Sequence, residues 1–236
     1  SKCGPRPRTS ALAPPALPVR SDAALTLIHP MANHLAIASV AKTILKMVED
    51  HCPRDEFAST PTFALYAGHD FSTQVVTEGF SLLVWRLNVN TAVRSFSARR
   101  EPDGRKRRPP LPVDVSVLLT AWSSEPERQL RLTGWAMRFM EDNAIIPAAL
   151  LNQSLSRRTV PAFRADEAVE VMLDTPSLPD YLGLWDKFRN RWQTSLTYVA
   201  RPVLLESDIV IDEGALVETR DFRHGQIAPP AGGGAA

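Results

Sequence analysis

The stretch Val113-Asp114-Val115-Ser116-Val117-Leu118-Leu119-Thr120-Ala121 runs directly into Trp122-Ser123-Ser124-Glu125-Pro126-Glu127. In the first part, Val113, Val115, Val117, Leu119 and Ala121 alternate with Asp114, Ser116 and Thr120. This period of two predicts a strand of about ten residues. The second part reads as a helix start. The Ser124 hydroxyl is followed three residues later by the Glu127 carboxylate, with Pro126 in the first turn. Leu132, Trp135, Ala136, Phe139 and Met140 then recur at helical spacing, as one apolar stripe on a helix ending near Asn143. A patterned strand feeding an amphipathic helix sets the expectation for the rest of the chain.

Upstream, Phe80–Val89 predicts a second strong strand. Phe80, Leu82 and Val84 fall on one face, and Leu83, Trp85, Leu87 and Val89 on the other, as in a strand covered on both sides. Thr62–Ala67 and Phe71–Val76 read as two short strands, separated by the Gly68-His69-Asp70 turn, with Glu78-Gly79 as a second turn. Further back, Asn33 is a candidate N-cap. Ile37, Val40, Ala41, Ile44, Leu45 and Val48 make the stripe of a helix that ends near His51, before Pro53. Residues 1–30 hold six prolines and show neither period, and are expected to be disordered or extended.

Downstream, a short helix is expected at Ala148–Leu155 and a strand at Val169, Val171 and Leu173. Ser177-Leu178-Pro179-Asp180 repeats the capping logic ahead of a stripe of Leu178, Tyr181, Leu182, Trp185 and Phe188. The last long strand is Thr194–Leu205, with Leu196, Tyr198, Ala200 and Leu204 opposing Thr197, Val199, Val203 and Leu205. Pro202 cannot donate to a ladder, so an edge position or a bulge is expected there. Ile209–Ile211 is an apolar stub, and the chain beyond it turns polar. The expected fold class is α+β, a mostly antiparallel sheet flanked by helices. The expected organisation is an N-terminal segment over 1–30, a folded domain over 31–207 and a C-terminal arm over 208–236.

Composition excludes several function classes. The 236 residues carry a formal net charge of +1, which is not the balance of a polybasic nucleic-acid binder. Two cysteines exclude a disulfide scaffold and a zinc site built mainly of thiolates. The apolar runs Ala144–Leu151 and Ala36–Ala41 are far short of the roughly 20 residues of a membrane span. Pro14, Pro15 and Pro18 interrupt any signal-peptide core after Lys2, Arg6 and Arg8. Cytoplasmic residence is the resulting expectation, with Cys3 and Cys52 reduced.

Motifs of catalysis are weak. The glycines do not have phosphate-loop or dinucleotide spacing, and no zinc-ligand pair is present. His51-Cys52 places a thiol beside an imidazole, but neighbours in sequence rarely point at each other, and a helix end explains the pair. His69-Asp70 is accounted for by turn chemistry. Glu206, Asp208, Asp212 and Glu213 could gather a hard cation such as calcium, although solvation of an exposed edge also explains them. Trp122 and Trp192 lie near element ends, where core and interface roles are both open. The strongest charge feature is residues 94–108. There Arg94, Arg99, Arg100, Arg105, Lys106, Arg107 and Arg108 outnumber Glu101 and Asp103. A long exposed loop is expected, able to meet an acidic protein surface or, less well supported because only Phe96 could stack, a nucleic acid.

Several ordered stretches carry a resemblance. They are Ile37-Ala38-Ser39-Val40, Arg107-Arg108-Pro109-Pro110-Leu111-Pro112-Val113-Asp114-Val115, Leu118-Leu119-Thr120-Ala121-Trp122, Gly134-Trp135-Ala136-Met137, Leu184-Trp185, and Ser195-Leu196-Thr197-Tyr198-Val199-Ala200-Arg201-Pro202-Val203. In order and spacing, over about 31–207, the chain resembles the tail-terminator or cap proteins of bacterial contractile injection systems. Val117 and Trp122 depart from the tyrosine common at those positions.

The resemblance implies a structural protein and not an enzyme, with no cofactor, metal or small-molecule substrate. It implies a ring, typically a homohexamer, on the distal end of an inner tube and its contractile sheath, which ends polymerisation and fixes particle length. Its partners would be further copies of itself, the tube protein and the sheath protein. On that basis the expected interface comprises Arg105, Lys106, Arg107 and Arg108 facing an acidic surface, together with the strand region of Arg201, Pro202, Ile209 and Ile211, which accepts or donates a strand. The competing readings are a nucleic-acid-binding or acidic-protein-binding module using 94–108, and a hydrolase with an unfamiliar Cys/His site.

Overall fold

The computed structural model describes residues 34–211 except 74–75, 94–95, 101–103, 155–160 and 189–191. Helix α1 (Ala36–His51) opens the described chain and ends before Pro53; the candidate cap Asn33 lies outside the described residues. Strand β1 (Thr62–Tyr66) follows. The expected strand at 71–76 is instead a four-residue helix, α2 (Asp70–Thr73). Asp70 accounts for this: its carboxylate accepts from the Ala67 amide at 2.7 Å, which turns the chain and starts the helix.

The main sheet is built on β2 (Gly79–Val89), β5 (Leu111–Trp122) and β8 (Ser195–Leu205). It is completed by β6 (Ile145–Pro147) and β7 (Ala168–Leu173), in the order β1-β2-β5-β8-β7-β6. All neighbours are antiparallel except β1 and β2, which are parallel. The sheet is therefore mixed, and mostly antiparallel as expected. Helices α1, α3 (Pro126–Asp142) and α4 (Ala148–Gln153) cover one face. Their apolar stripes, Val40, Ile44 and Val48 on α1 and Leu132, Ala136 and Met140 on α3, share one core with Phe80, Leu82, Val115 and Tyr198. The other face is covered by α2 and α5 (Leu178–Asp186) around a second cluster of Tyr66, Phe71, Leu83, Trp122, Trp185 and Phe188. In that cluster Phe71 stacks on Phe188 with ring centroids 4.1 Å apart.

Two bulges correct the expected side-chain parity. In the β2–β5 ladder, Val84 faces Val117 but Arg86 faces Ser116, so Trp85 is the extra residue. Leu87 and Val89 then oppose Val115 and Val113, on the face shared with Phe80 and Leu82 and not with Leu83. In the β5–β8 ladder, Val115 faces Ala200 and Val113 faces Val203, which leaves Arg201 and Pro202 opposite Asp114. Val203 and Leu205 thereby join Ala200 on the core face. A bulge shifts every later side chain to the opposite face from a regular count. Pro202 is thus accommodated by a bulge in a strand that lies inside the sheet. Pairing of β7 to β8 ends at Arg201.

The cap at Ser177 is as expected: its hydroxyl accepts from the Asp180 amide at 3.3 Å and donates to the Asp180 carboxylate at 2.6 Å. The cap at Ser124 is not. Helix α3 starts after Glu125, with no side-chain cap. Ser123 and Ser124 instead donate to Oε1 of the buried Glu78, each hydroxyl at 3.2 Å. A carboxylate accepting several donors outcompetes a helix cap for the hydroxyl.

Candidate functional site

The two ends of the central strands differ. At one end lie Gly79, Trp122 and Ser195, with Trp122 packed in the aromatic second cluster. At the other, Val89, Leu111 and Leu205 close the sheet, and Leu87, Val89 and Leu111 are each more than 40% exposed. Asn90 ends β2 here. Its amide nitrogen donates to the Asp114 carboxylate at 3.0 Å, while its side-chain oxygen accepts from the amides of Ala92 and Val93 at 3.1 and 3.3 Å. This Asx-type turn redirects the chain into the basic segment.

That segment was expected to be a loop and contains two short strands. β3 (Arg99–Arg100) pairs with β4 (Lys106–Arg107), and β4 pairs with β9 (Val210–Ile211), forming a separate three-stranded sheet. Arg99 opposes Arg107, and Arg100 opposes Lys106. On the other side Lys106 opposes Ile211, and Arg107 opposes Val210. The Arg108 amide donates to the Ile209 carbonyl at 3.1 Å, and Arg107 lies 3.4 Å from the Asp208 carboxylate. Gly104, at φ +83, lies in the connection between β3 and β4, a conformation that glycine adopts without strain. Beside this sheet, Phe96, Ala98, Arg100, Pro110 and Leu204 line a groove of about 360 Å³.

The structure therefore brings Arg105, Lys106, Arg107 and Arg108 together with Ile209 and Ile211, from opposite ends of the sequence interval. It keeps Arg201 and Pro202 apart from that cluster, in the β8 bulge. Arg201 opposes Glu170, and its guanidinium donates to the Met172 sulfur at 3.2 Å. Sequence reasoning put Leu87 and Val89 on the face of Leu83 and missed that they stay exposed, with Leu111, at this end of the sheet. The missing signal was the β2 bulge, since a regular strand would have turned Leu87 and Val89 to the other face.

The side chains that could suggest catalysis take other roles. Cys52 is the C-cap residue of α1. Its thiol donates to the Glu49 carbonyl at 3.5 Å, and burial pushes the thiol up, away from the reactive thiolate. His51 turns away from it, with Nδ1 2.9 Å from the Met47 carbonyl and the ring stacked on Phe139. His69 lies 3.2 Å from Asp70, whose other oxygen holds the turn. A groove of about 720 Å³ between α1 and α4 has Lys46 and Asp50 on its α1 wall, paired with each other at 2.6 Å. Among the described residues no three His, Cys, Asp or Glu side chains gather to hold a metal; Asp212 and Glu213 lie outside them. No helix among the described residues is long and apolar enough to cross a membrane. Trp122 is buried and donates to Ser81 Oγ at 2.8 Å. Trp192 is half exposed, edge-on to Tyr181.

Comparison with known proteins places this architecture. No curated protein matches the sequence. Solved structures that share the fold include the following two. One is the PVC sheath/tube terminator of an extracellular contractile injection system in its extended state, 16% identical with a TM-score of 0.52, over 81% of this chain and 64% of that one. The other is the anti-feeding prophage cap, a tube terminating cap, 16% identical with a TM-score of 0.51, over 78% of this chain and 60% of that one. The present chain thus spans less than two thirds of the length of either. The family model of the Pvc16 N-terminal domain matches residues 39–219, most of the sequence. The chain belongs to the Pvc16 N-terminal domain family.

Proposed function

We propose that this protein is a structural cap, a tail terminator that ends growth of the tube and sheath of a contractile injection system. The observation that carries the reading is the combination of family membership with a fold shared with two terminator caps. The protein acts as a ring, a homohexamer, on the distal end of the inner tube and the surrounding sheath. It assembles in the cytoplasm into a particle that can be released. It works by shape and breaks no bonds.

Growing cylinders present an unsatisfied surface to each incoming layer. A cap must match that surface on one side and not recreate it on the other. The cationic three-stranded sheet with its apolar surround suits the matching side. Arg105 and Arg108 are exposed there, and apolar side chains around them supply area that loses water on contact. Charge complementarity to an acidic tube or sheath surface would set orientation and encounter rate.

Reversing the charges at Arg105 and Arg108 tests the role of this end. The expected result is a clear fall in the number of complete particles per cell in electron micrographs, with the purified variant still folded by circular dichroism. Unchanged particle number and length would remove this end from the account. Salt-dependent binding to generic duplex DNA with a steep slope would favour a nucleic-acid module instead.

A further inference from the structure

Taking the tube and sheath cylinder as partner from the terminator reading above, we propose that the groove between α3 and β7, over Tyr198, receives a Lys or Arg side chain presented by the end of that cylinder. This gives the cap a second contact surface, with the opposite charge preference to the cationic sheet.

The groove holds about 410 Å³ and is lined by Gly134, Met137, Arg138 and Glu141 of α3, Leu173 of β7 and Tyr198 of β8. The four α3 residues recur at spacings of three and four, so they share one side of the helix. That side is turned away from Leu132, Ala136 and Met140, which are buried in the core. Leu173 opposes Tyr198 in the β7–β8 ladder, which sets both side chains on the same face of the sheet. Met137 and Leu173 are 42% and 45% exposed and form the apolar walls.

Two features of the groove have no explanation within the chain. Gly134 lies inside a 17-residue helix, where glycine weakens the helix relative to alanine. A Cβ at this position would meet nothing within 4 Å, so no close packing against the chain's own atoms demands glycine. Its effect is to keep the groove open. Tyr198 is only 3% exposed, yet no described residue hydrogen-bonds its hydroxyl, and that hydroxyl is not sealed from solvent. A phenol so deeply placed ordinarily has a partner.

The charges at the rim select the occupant. Arg138 donates to the Asp142 carboxylate at 3.0 Å, so its charge is matched within the helix. Glu141 is exposed and makes no ion pair with any described residue. Its charge is felt at the Tyr198 phenol, which stays protonated up to about 12. A carboxylate and a phenol oxygen both accept from an ammonium or guanidinium group, and the aliphatic stem of Lys or Arg suits the walls of Met137 and Leu173. An anionic occupant would meet Glu141, and a purely aliphatic one would strip water from the phenol without replacing its hydrogen bond.

Cylinders purified from cells lacking this protein, mixed with the purified chain and sedimented, test the proposal. The unsubstituted chain should bind their ends. Gly134→Leu fills the groove with a better helix former; it should bind at least tenfold more weakly while its urea midpoint is unchanged or higher. Glu141→Lys should lose a similar factor, Tyr198→Phe a smaller one, and Glu127→Lys, the same charge change elsewhere on α3, should bind as the parent does. Parent-like binding by Gly134→Leu and Glu141→Lys would overturn the groove and leave the terminator reading standing. Loss at Gly134→Leu with none at Glu141→Lys would overturn the cationic occupant. Variants that bind cylinders normally but no longer form rings in native mass spectra would place a second copy in the groove and overturn the cylinder as its source. Failure of the unsubstituted chain to bind the cylinders would overturn the terminator reading and this proposal with it.

Discussion

Gly79 ties two strands together at a point where no other residue fits. Its φ of +131 is a backbone conformation that side chains rarely adopt, and a Cβ there would lie 2.0 Å from the Thr62 carbonyl oxygen. The clash is with backbone that is itself paired across β1 and β2, so it cannot be relieved by a rotamer change. Gly79→Ala should therefore destabilise the domain by about 3 kcal/mol or more, read as a lower urea midpoint. Cys52 and Tyr198 illustrate burial acting on ionisation. The Cys52 thiol should resist iodoacetamide at pH 8 until the protein is unfolded, and Cys52→Ala should leave particle assembly unchanged. Burial, with a smaller contribution from the Glu141 charge, pushes Tyr198 up to about 12. The folded state then holds the phenolic proton between the ordinary tyrosine range near 10 and about 12, while the unfolded chain releases it. Stability should fall as pH rises through that window, with a slope approaching about 1.4 kcal/mol per pH unit. Tyr198→Phe should flatten that part of the unfolding free-energy profile. An unchanged slope would show that the phenol is not the responsible group.

Elements were legible in proportion to how far local pattern governed them. α1, α3, β5 and β8 were each expected close to where they lie, because long apolar stripes and alternations identify the buried face directly. The cap at Ser177 was readable because its partner, Asp180, is three residues away. Ser177→Ala should cost about 1 kcal/mol, measurable by thermal or urea unfolding. The cap at Ser124 had the same signature and a different outcome, because Glu78 arrives from a distant part of the chain and takes both serine hydroxyls. Glu78→Ala should destabilise by about 2 kcal/mol or more, since it removes the acceptor for Ser123 and Ser124 and the carboxylate 3.7 Å from Arg128. A loss no larger than that of Ser177→Ala would show that these contacts are replaced by water. The β8 bulge was one of the two outcomes expected at Pro202, but the β2 bulge and the β4–β9 pairing were not legible, for a related reason. Each is decided by which strand lies alongside, and a single sequence records only its own side of a ladder. For the candidate site, the cations at 105–108 and the stub at 209–211 were both visible as separate features. That they meet was not, since the 100 residues from 109 to 208, through Leu111, β5 and β8, bring them together.

At the scale of the whole molecule, helices pack both faces of one sheet and leave the end at Val89, Leu111 and Leu205 to the small cationic sheet. This polarity suits the terminator role proposed above, with one end packed by aromatic side chains and the other carrying exposed cations and apolar surface. The purified chain, or the chain assembled with tube protein, should form closed rings visible by negative-stain microscopy, and raising the salt concentration should weaken its hold on the tube end, as expected of contacts made partly by exposed cations. The most direct measurement is the length distribution of particles from cells lacking this protein, taken from electron micrographs alongside those from cells that make it. Overlong, widely dispersed or open-ended tubes and sheaths are expected in its absence, restored to uniform length when the protein is supplied again. Particles of normal, uniform length with intact ends in its absence would contradict the terminator role.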